Sequence, residues 1–261
     1  MSSPSPEGRG GQEDPDRATR DEDPAGRQRV TSGGNGVKSE VVLFDFGGTL
    51  DADGVHWSPR LHAAYRAEGG SLEYASFERL VQAADRALAQ LPEIRGLGFR
   101  DTIEAEVRLL LELVPDRPRV DAHRMSELFY GEACAAVARN RPVLERLARR
   151  YRLGIVSNFS GNLVPCLEEL GLARLFAAVS DSSVIGAAKP DPRIFAETLF
   201  ALRAAAEDAW MVGDNFEADI RAAAELGMRT CWVAPPERAT PAGVVPTARI
   251  TRLPDIEGVL E

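Results

Sequence analysis

Val41-Val42-Leu43-Phe44-Asp45-Phe46-Gly47-Gly48-Thr49-Leu50 is the stretch that decides the fold. An apolar run rich in β-formers ends at a carboxylate and a glycine pair. That pattern reads as a buried strand followed by a tight loop. Similar runs return as Leu153-Gly154-Ile155-Val156, Ala177-Ala178-Val179, Trp210-Met211-Val212 and Thr230-Cys231-Trp232-Val233. Helical patterns separate most of them, for example 163–170 before Gly171 and 216–226 before Gly227. Glycine is the expected residue just past a helix end. Strands alternating with helices predict an α/β fold on a doubly wound, mainly parallel sheet.

The stretch from 58 to 148 breaks the alternation. Tyr74, Phe77, Val81, Ala84 and Leu88 repeat at helical spacing. So do Ile103, Val107, Leu110, Leu111 and Val114, and then Tyr130, Cys134 and Val137, with Pro92, Gly96, Pro115 and Pro118 as punctuation. Amphipathic helices without a strand signal predict a helical cap at 58–148, inserted into an α/β core made of 39–57 and 149–261. Residues 1–38 hold almost no large apolar side chain, so burial cannot offset their ordering entropy and a disordered tail is expected.

Composition narrows the function. The formal net charge of −9 argues against nucleic acid, whose binding draws on Lys and Arg. Cys134, Cys166 and Cys231 are far apart and form no CxxC pair, which fits a reducing compartment rather than a disulfide framework or a zinc site. No apolar run reaches membrane-spanning length and the N-terminus lacks a signal-peptide core, so cytoplasm is the expected location, with no membrane partner. The lysines are Lys38 and Lys189, which leaves few candidates for any lysine-dependent chemistry.

Ligands of a doubly wound sheet sit at the carboxyl ends of its strands. Asp45 stands at the first such end, beside a glycine loop whose N–H groups can cradle phosphate. Ser157-Asn158 follows the next strand and offers a hydroxyl and an amide to phosphoryl oxygens. In Lys189-Pro190-Asp191-Pro192, Asp191 reads as a helix N-cap and Pro192 as a first-turn proline. Lys189 therefore sits where the helix dipole disfavours a cation unless an anion joins it. Gly213-Asp214-Asn215-Phe216-Glu217-Ala218-Asp219 supplies carboxylates suited to a hard divalent cation. Each motif alone also reads as ordinary turn or capping chemistry.

Their order is more telling than any one of them. A strand-end Asp, a helical insertion, Ser, Lys and an acidic pair together resemble the haloacid dehalogenase superfamily over residues from about 40 to 235. The resemblance implies a magnesium-dependent hydrolase of a small phosphorylated metabolite, a sugar phosphate among the options. Asp45 would be the nucleophile and form an aspartyl-phosphate. Ser157, Asn158, Gly48 and Lys189 would bind the phosphoryl group, and Lys189 would also neutralise Asp45. Asp45, Gly47 (through its carbonyl) and Asp214 would ligate magnesium, with Thr49 and Asp219 supporting them from behind.

One position departs from the pattern. Phosphatases of the superfamily carry an acid two residues after the nucleophile, and here that position is Gly47. A positioned acid contributes ~10²–10⁴-fold, and Asp51, Asp53 and His56 are the nearby substitutes. Two alternatives stay open: a non-catalytic or regulatory binding protein, and a metal-independent 2-haloacid dehalogenase, which needs no acid but leaves the acidic pair without a cation. A phosphonatase-like reading is set aside, because the inserted segment contains no lysine. Tyr65, Arg95 and Arg100 are candidate substrate contacts from the insertion.

Overall fold

The computed structural model describes residues 41–115 and 120–260. The tail expected at 1–38 lies outside them. Six strands form one sheet: β1 Val41–Phe44, β2 Arg152–Ser157, β3 Ala178–Asp181, β4 Ala209–Gly213, β5 Arg229–Val233 and β6 Ala248–Ile250. Their order is β3-β2-β1-β4-β5-β6, and every pairing is parallel. The strand β6 was not anticipated; its Ala248-Arg249-Ile250 is too short to carry a period.

Parallel strands are covered on both faces, and β1 shows why its sequence is apolar throughout. Val42 and Phe44 point into one buried cluster, and Val41 and Leu43 into another on the opposite face. The second cluster is closed by α7 Pro192–Ala201, through Ile194, Phe195 and Leu199. As expected, Asp191 caps α7, accepting from the Arg193 N–H at 2.9 Å, and Pro192 opens its first turn.

Between β1 and β2 run α1 Trp57–Ala67, α2 Tyr74–Leu88, α3 Phe99–Leu113 and α4 Ala122–Leu147, with no strand among the described residues. Most of the periodic residues read from the sequence are buried, Phe77, Val81, Ala84 and Leu88 on α2 and Ile103, Val107 and Leu110 on α3, while Tyr74 and Leu111 are half-buried. These helices share the first apolar cluster with the sheet. Phe46, in the loop after β1, meets the Phe99 ring edge-on at 5.7 Å, and Trp57 lies 5.9 Å from Phe99 and 5.0 Å from Phe129. Asn140 of α4, fully buried, donates to the Leu50 carbonyl at 2.9 Å.

After β2 come α5 Leu163–Glu169 and, past β3, the single turn α6 Ser182–Ile185. Gly171 and Gly227 both adopt positive φ, 66° and 84°, as helix stops require. The predicted helix at 216–226 is not uniform: Phe216–Arg221 winds as a π-turn before α8 Ala222–Glu225. Such an insertion rotates the preceding side chains relative to a regular helix, and here it falls on the segment that carries Asp219. A last turn, α9 Glu257–Leu260, places Leu260 against the first cluster.

Candidate active site

Register brings the strand ends together. Phe44 of β1 pairs with Ile155 of β2 and Val212 of β4, so Asp45 follows level with Val156 and Gly213, one residue short of Ser157 and Asp214. The Asp45 N–H donates to the Val212 carbonyl at 2.9 Å and extends the ladder by one residue. This is the point where strand order reverses, between β1 and β4, where a crevice is expected.

All of the predicted charged groups meet there. Lys189 is buried and donates to Asp45 Oδ1 and to Asp219 Oδ1, both at 2.6 Å. Ser157 Oγ donates to the same Asp45 oxygen at 3.1 Å. Thr49 Oγ1 lies 3.4 Å from both Asp45 Oδ2 and Asp214 Oδ1, a long bridge between them. The Asn215 N–H holds the other Asp219 oxygen at 3.0 Å. Burial acts to lower the Lys189 pKa, but Asp219 and Asp45 outweigh it and raise it above the usual lysine value. The lysine is therefore a fixed cation.

The charges do not balance. Oxygens of Asp45, Asp214 and Asp219 lie within 4.8 Å of one another. Among the described residues Lys189 is the cation paired with them. Burial, and then repulsion from Asp45 and Asp219, push the Asp214 carboxyl well above its ordinary range. Burial likewise raises Asp219 to about 6, with Lys189 opposing and Asp45 adding to the shift. An all-oxygen donor set with excess negative charge fits a hard divalent cation.

Two of the expected phosphate contacts are engaged within the protein. Asn158 was expected to face phosphoryl oxygens. Its side chain instead clamps the lysine loop, donating to the Lys189 carbonyl at 3.0 Å and accepting from the Lys189 N–H at 2.7 Å. Gly48 was expected to offer its N–H to phosphate, but that N–H donates to Asp51 Oδ1 at 2.6 Å. Gly48 serves close packing: at φ 92°, an added Cβ would stand 2.6 Å from Asp214 Oδ2.

Gly47 has an ordinary φ, but a Cβ there would stand 3.0 Å from Trp57 Nε1. The indole fills the direction that an acid side chain would take. Of the three substitutes, Asp51 is fully buried and engaged, accepting from Trp57 Nε1 and Arg60 Nη1 at 2.8 Å each. Asp53 pairs with Arg139 at 2.7 Å. Only His56 of these three lines the cavity over Asp45.

That cavity holds about 330 Å³, within the range of small-ligand sites. Its sheet-side wall is Asp45, Gly47, Ser157, Asn158, Lys189 and Asp214, and its helical wall includes His56, Asp85, Arg86, Thr102 and Glu106. Tyr65, Arg95 and Arg100 do not line it. Tyr65 is fully buried with its hydroxyl near the Ser71 and Leu72 N–H groups, and Arg100 pairs with Glu127 and stacks on Tyr130. The sequence reading missed Asp85 and Glu106. The signal was present in Glu106, a carboxylate between Ile103 and Val107 on the apolar face of α3.

The family model for haloacid dehalogenase-like hydrolases matches residues 40–227. The pyrimidine 5'-nucleotidase YjjG of Escherichia coli is 30% identical over 153 residues, 56% of this chain and 67% of that protein. A phosphoglycolate phosphatase of Mesorhizobium japonicum is 29% identical over 199 residues, 72% of this chain and 79% of the relative. A phosphoserine phosphatase of Thermus thermophilus is 41% identical over 92 residues, but the match spans only 37% of it and 33% of this chain. Among solved structures, the L-2-haloacid dehalogenase RSc1362 superposes with a TM-score of 0.59 at 22% identity, covering 85% of this chain and 98% of that one. The Bacillus subtilis HAD-hydrolase YfnB gives 0.52 at 19%, covering 85% and 98%. These likenesses carry the fold. Since the family match takes in the first strand, the whole helical insertion and the segments bearing Lys189 and Asp219, the chain belongs to the haloacid dehalogenase-like hydrolase family.

Proposed function

We propose that this chain hydrolyses a small phosphate monoester through an aspartyl-phosphate at Asp45, with magnesium as its metal. The observation that carries the reading is Asp45 at a strand end, held by Lys189 and Ser157 and lining the cavity between sheet and helices. Phosphatases among the relatives support the same class.

In this mechanism an Asp45 oxygen attacks phosphorus and the ester oxygen leaves as the alcohol, taking a proton from His56. Water, giving a proton back to His56, then attacks the phosphorus of the acyl phosphate, returning Asp45 and releasing inorganic phosphate. Splitting one displacement into two lowers each barrier. Lys189 and Ser157 offset charge on the transferring oxygens, and Asp219 holds the lysine in place. Magnesium held by Asp45, Asp214 and the Gly47 carbonyl would neutralise phosphoryl charge. Asn158 acts through Lys189, fixing its loop. The helices α1–α4 serve as a cap that excludes water and sets specificity.

The test is phosphate release from p-nitrophenyl phosphate with magnesium and with chelator, followed by borohydride quench of the working enzyme. Reduction of an acyl phosphate converts Asp45 to homoserine, which peptide mass spectrometry detects. No turnover of any phosphate ester would favour a binding protein. Halide release from a 2-haloacid in chelator would favour the metal-independent dehalogenase.

A further inference from the structure

The helical wall of the cavity contains a carboxyl pair that the mechanism does not use. Glu106 of α3 is 1% exposed, yet it lines the cavity, and its Oε1 is buried without a hydrogen-bond partner. Asp85 of α2 lines the same wall, hydrogen-bonds Glu106 and is accessible from the cavity. An unsatisfied buried acceptor is destabilising unless a ligand or water satisfies it. Val81, Leu88 and Ala89, which line the same wall, are apolar and offer no donor side chain.

From this arrangement we infer that Asp85 and Glu106 form a subsite for a hydrogen-bond donor, an ammonium or hydroxyl group, on the alcohol portion of the phosphate ester. The inference rests on the phosphatase reading and narrows its substrate class. The protonation pattern agrees. Burial, then the charge of Asp85, hold the Glu106 carboxyl well above its usual range. Burial also raises Asp85 on balance, with Glu106, His56 and Arg86 opposing the shift. Glu106, the more strongly raised of the two, is the one that shares a proton with Asp85. Its carbonyl-like Oε1 and the Asp85 carboxylate are left as acceptors.

The pair therefore asks for a donor and repels a carboxylate. His56 and Arg86 share the wall, but their charges act on Asp85. A substrate carboxylate would have to compete with Asp85 for them.

The experiment compares kcat/KM for 2-aminoethyl phosphate, 2-hydroxyethyl phosphate, n-propyl phosphate and 2-phosphoglycolate, which have leaving groups of similar size. The donor-bearing esters are expected to exceed the propyl ester by about tenfold or more, as one good hydrogen bond to a charged group implies. The ammonium and hydroxyl arms show which donor is preferred. Glu106→Gln keeps an acceptor oxygen and a donor toward Asp85, so it should retain the preference. Glu106→Leu should bring the ratio of donor ester to propyl ester close to one. Equal rates for donor and propyl esters, or a preference for phosphoglycolate, overturn the inference while leaving the phosphatase reading intact. An unchanged ratio in folded Glu106→Leu overturns it too. Failure to hydrolyse p-nitrophenyl phosphate as well defeats the phosphatase reading, and this inference with it.

Discussion

The two walls of the cavity differ in how their polar atoms are satisfied. On the sheet side, Asp45, Ser157, Lys189 and Asp219 bond to one another, and Asn158 holds the lysine loop by both ends of its amide. On the helical side, Glu106 keeps an oxygen with no partner and Asp85 opens to the cavity. A saturated wall is preorganised and suits a fixed reaction. An unsaturated wall waits for a ligand and suits selection among substrates. Changes on the first wall should therefore alter turnover of every substrate, and changes on the second should alter the ranking between substrates.

The sharpest way to break this contrast is Asp45→Asn. The substitution removes the proposed nucleophile but preserves shape, and a loss of at least ~10³-fold in kcat on every ester is expected. Retention of more than about a hundredth of the rate, in protein freed of wild-type contamination, would remove Asp45 from its role.

Asn158→Ala comes next. Because Asn158 acts through the Lys189 backbone, kcat should fall by about 10–100-fold with little change in the order of substrates. A shift in KM for one ester alone would make Asn158 a substrate contact and blur the distinction between the walls.

Gly47→Asp should have a smaller effect, less than about tenfold, since its carboxylate must displace the Trp57 indole from a 3.0 Å approach. Adding Trp57→Phe removes the Nε1 corner. Plots of log kcat/KM against leaving-group pKa give the measurement. If His56 donates the proton, the wild-type slope is shallow and steepens in His56→Ala. A steep wild-type slope that flattens in the double variant would return the acid role to position 47.

The smallest effect on turnover, and a measurable one on stability, belongs to Glu106→Leu assayed with an aryl phosphate. Filling an apolar site and removing an unsatisfied acceptor should add about 1 kcal/mol in urea unfolding. The pH dependence has a definite sign. Glu106 is raised in the folded state, so above the unfolded Glu pKa of about 4.3 the native protein holds more protons than the unfolded chain. That contribution falls as pH rises, by up to ~1.4 kcal/mol per unit until the folded pKa is passed. The gain of the Leu variant over wild type should therefore widen upward from about pH 4.5. Asp85 and Arg86 on α2, and His56 before α1, are the charges that modulate it. A gain that is flat with pH would show that Glu106 is ionised in the native protein.

Legibility in the sequence followed the same division. Strand ends punctuate a chain, so Asp45, Ser157, Lys189 and Asp214 stood out, and the helical faces of α2 and α3 followed from their periods. What escaped depends on distances between segments. Nothing local to Asn158 says that its amide meets a loop 31 residues away. Gly47 read as a missing acid because Trp57, ten residues on, gives no local sign that it takes the space. The π-turn at Phe216–Arg221 has the composition of an ordinary helix start. The strand β6 is three residues long and its pairing with β5 is a tertiary matter.

The aromatic seam of Phe46, Trp57, Phe99 and Phe129 bears on how such a protein can change. These rings join the loop after β1 to α1, α3 and α4 inside one apolar cluster. Transplanting helices α1–α4 from a relative would strip Phe46 of its neighbours and restore a side chain opposite Gly47 only if position 57 shrank with it. The insertion is thus not a detachable cassette. New specificities are more accessible by single exchanges at Asp85, Arg86 or Glu106, which border the cavity without belonging to the seam, than by recombination of the whole segment.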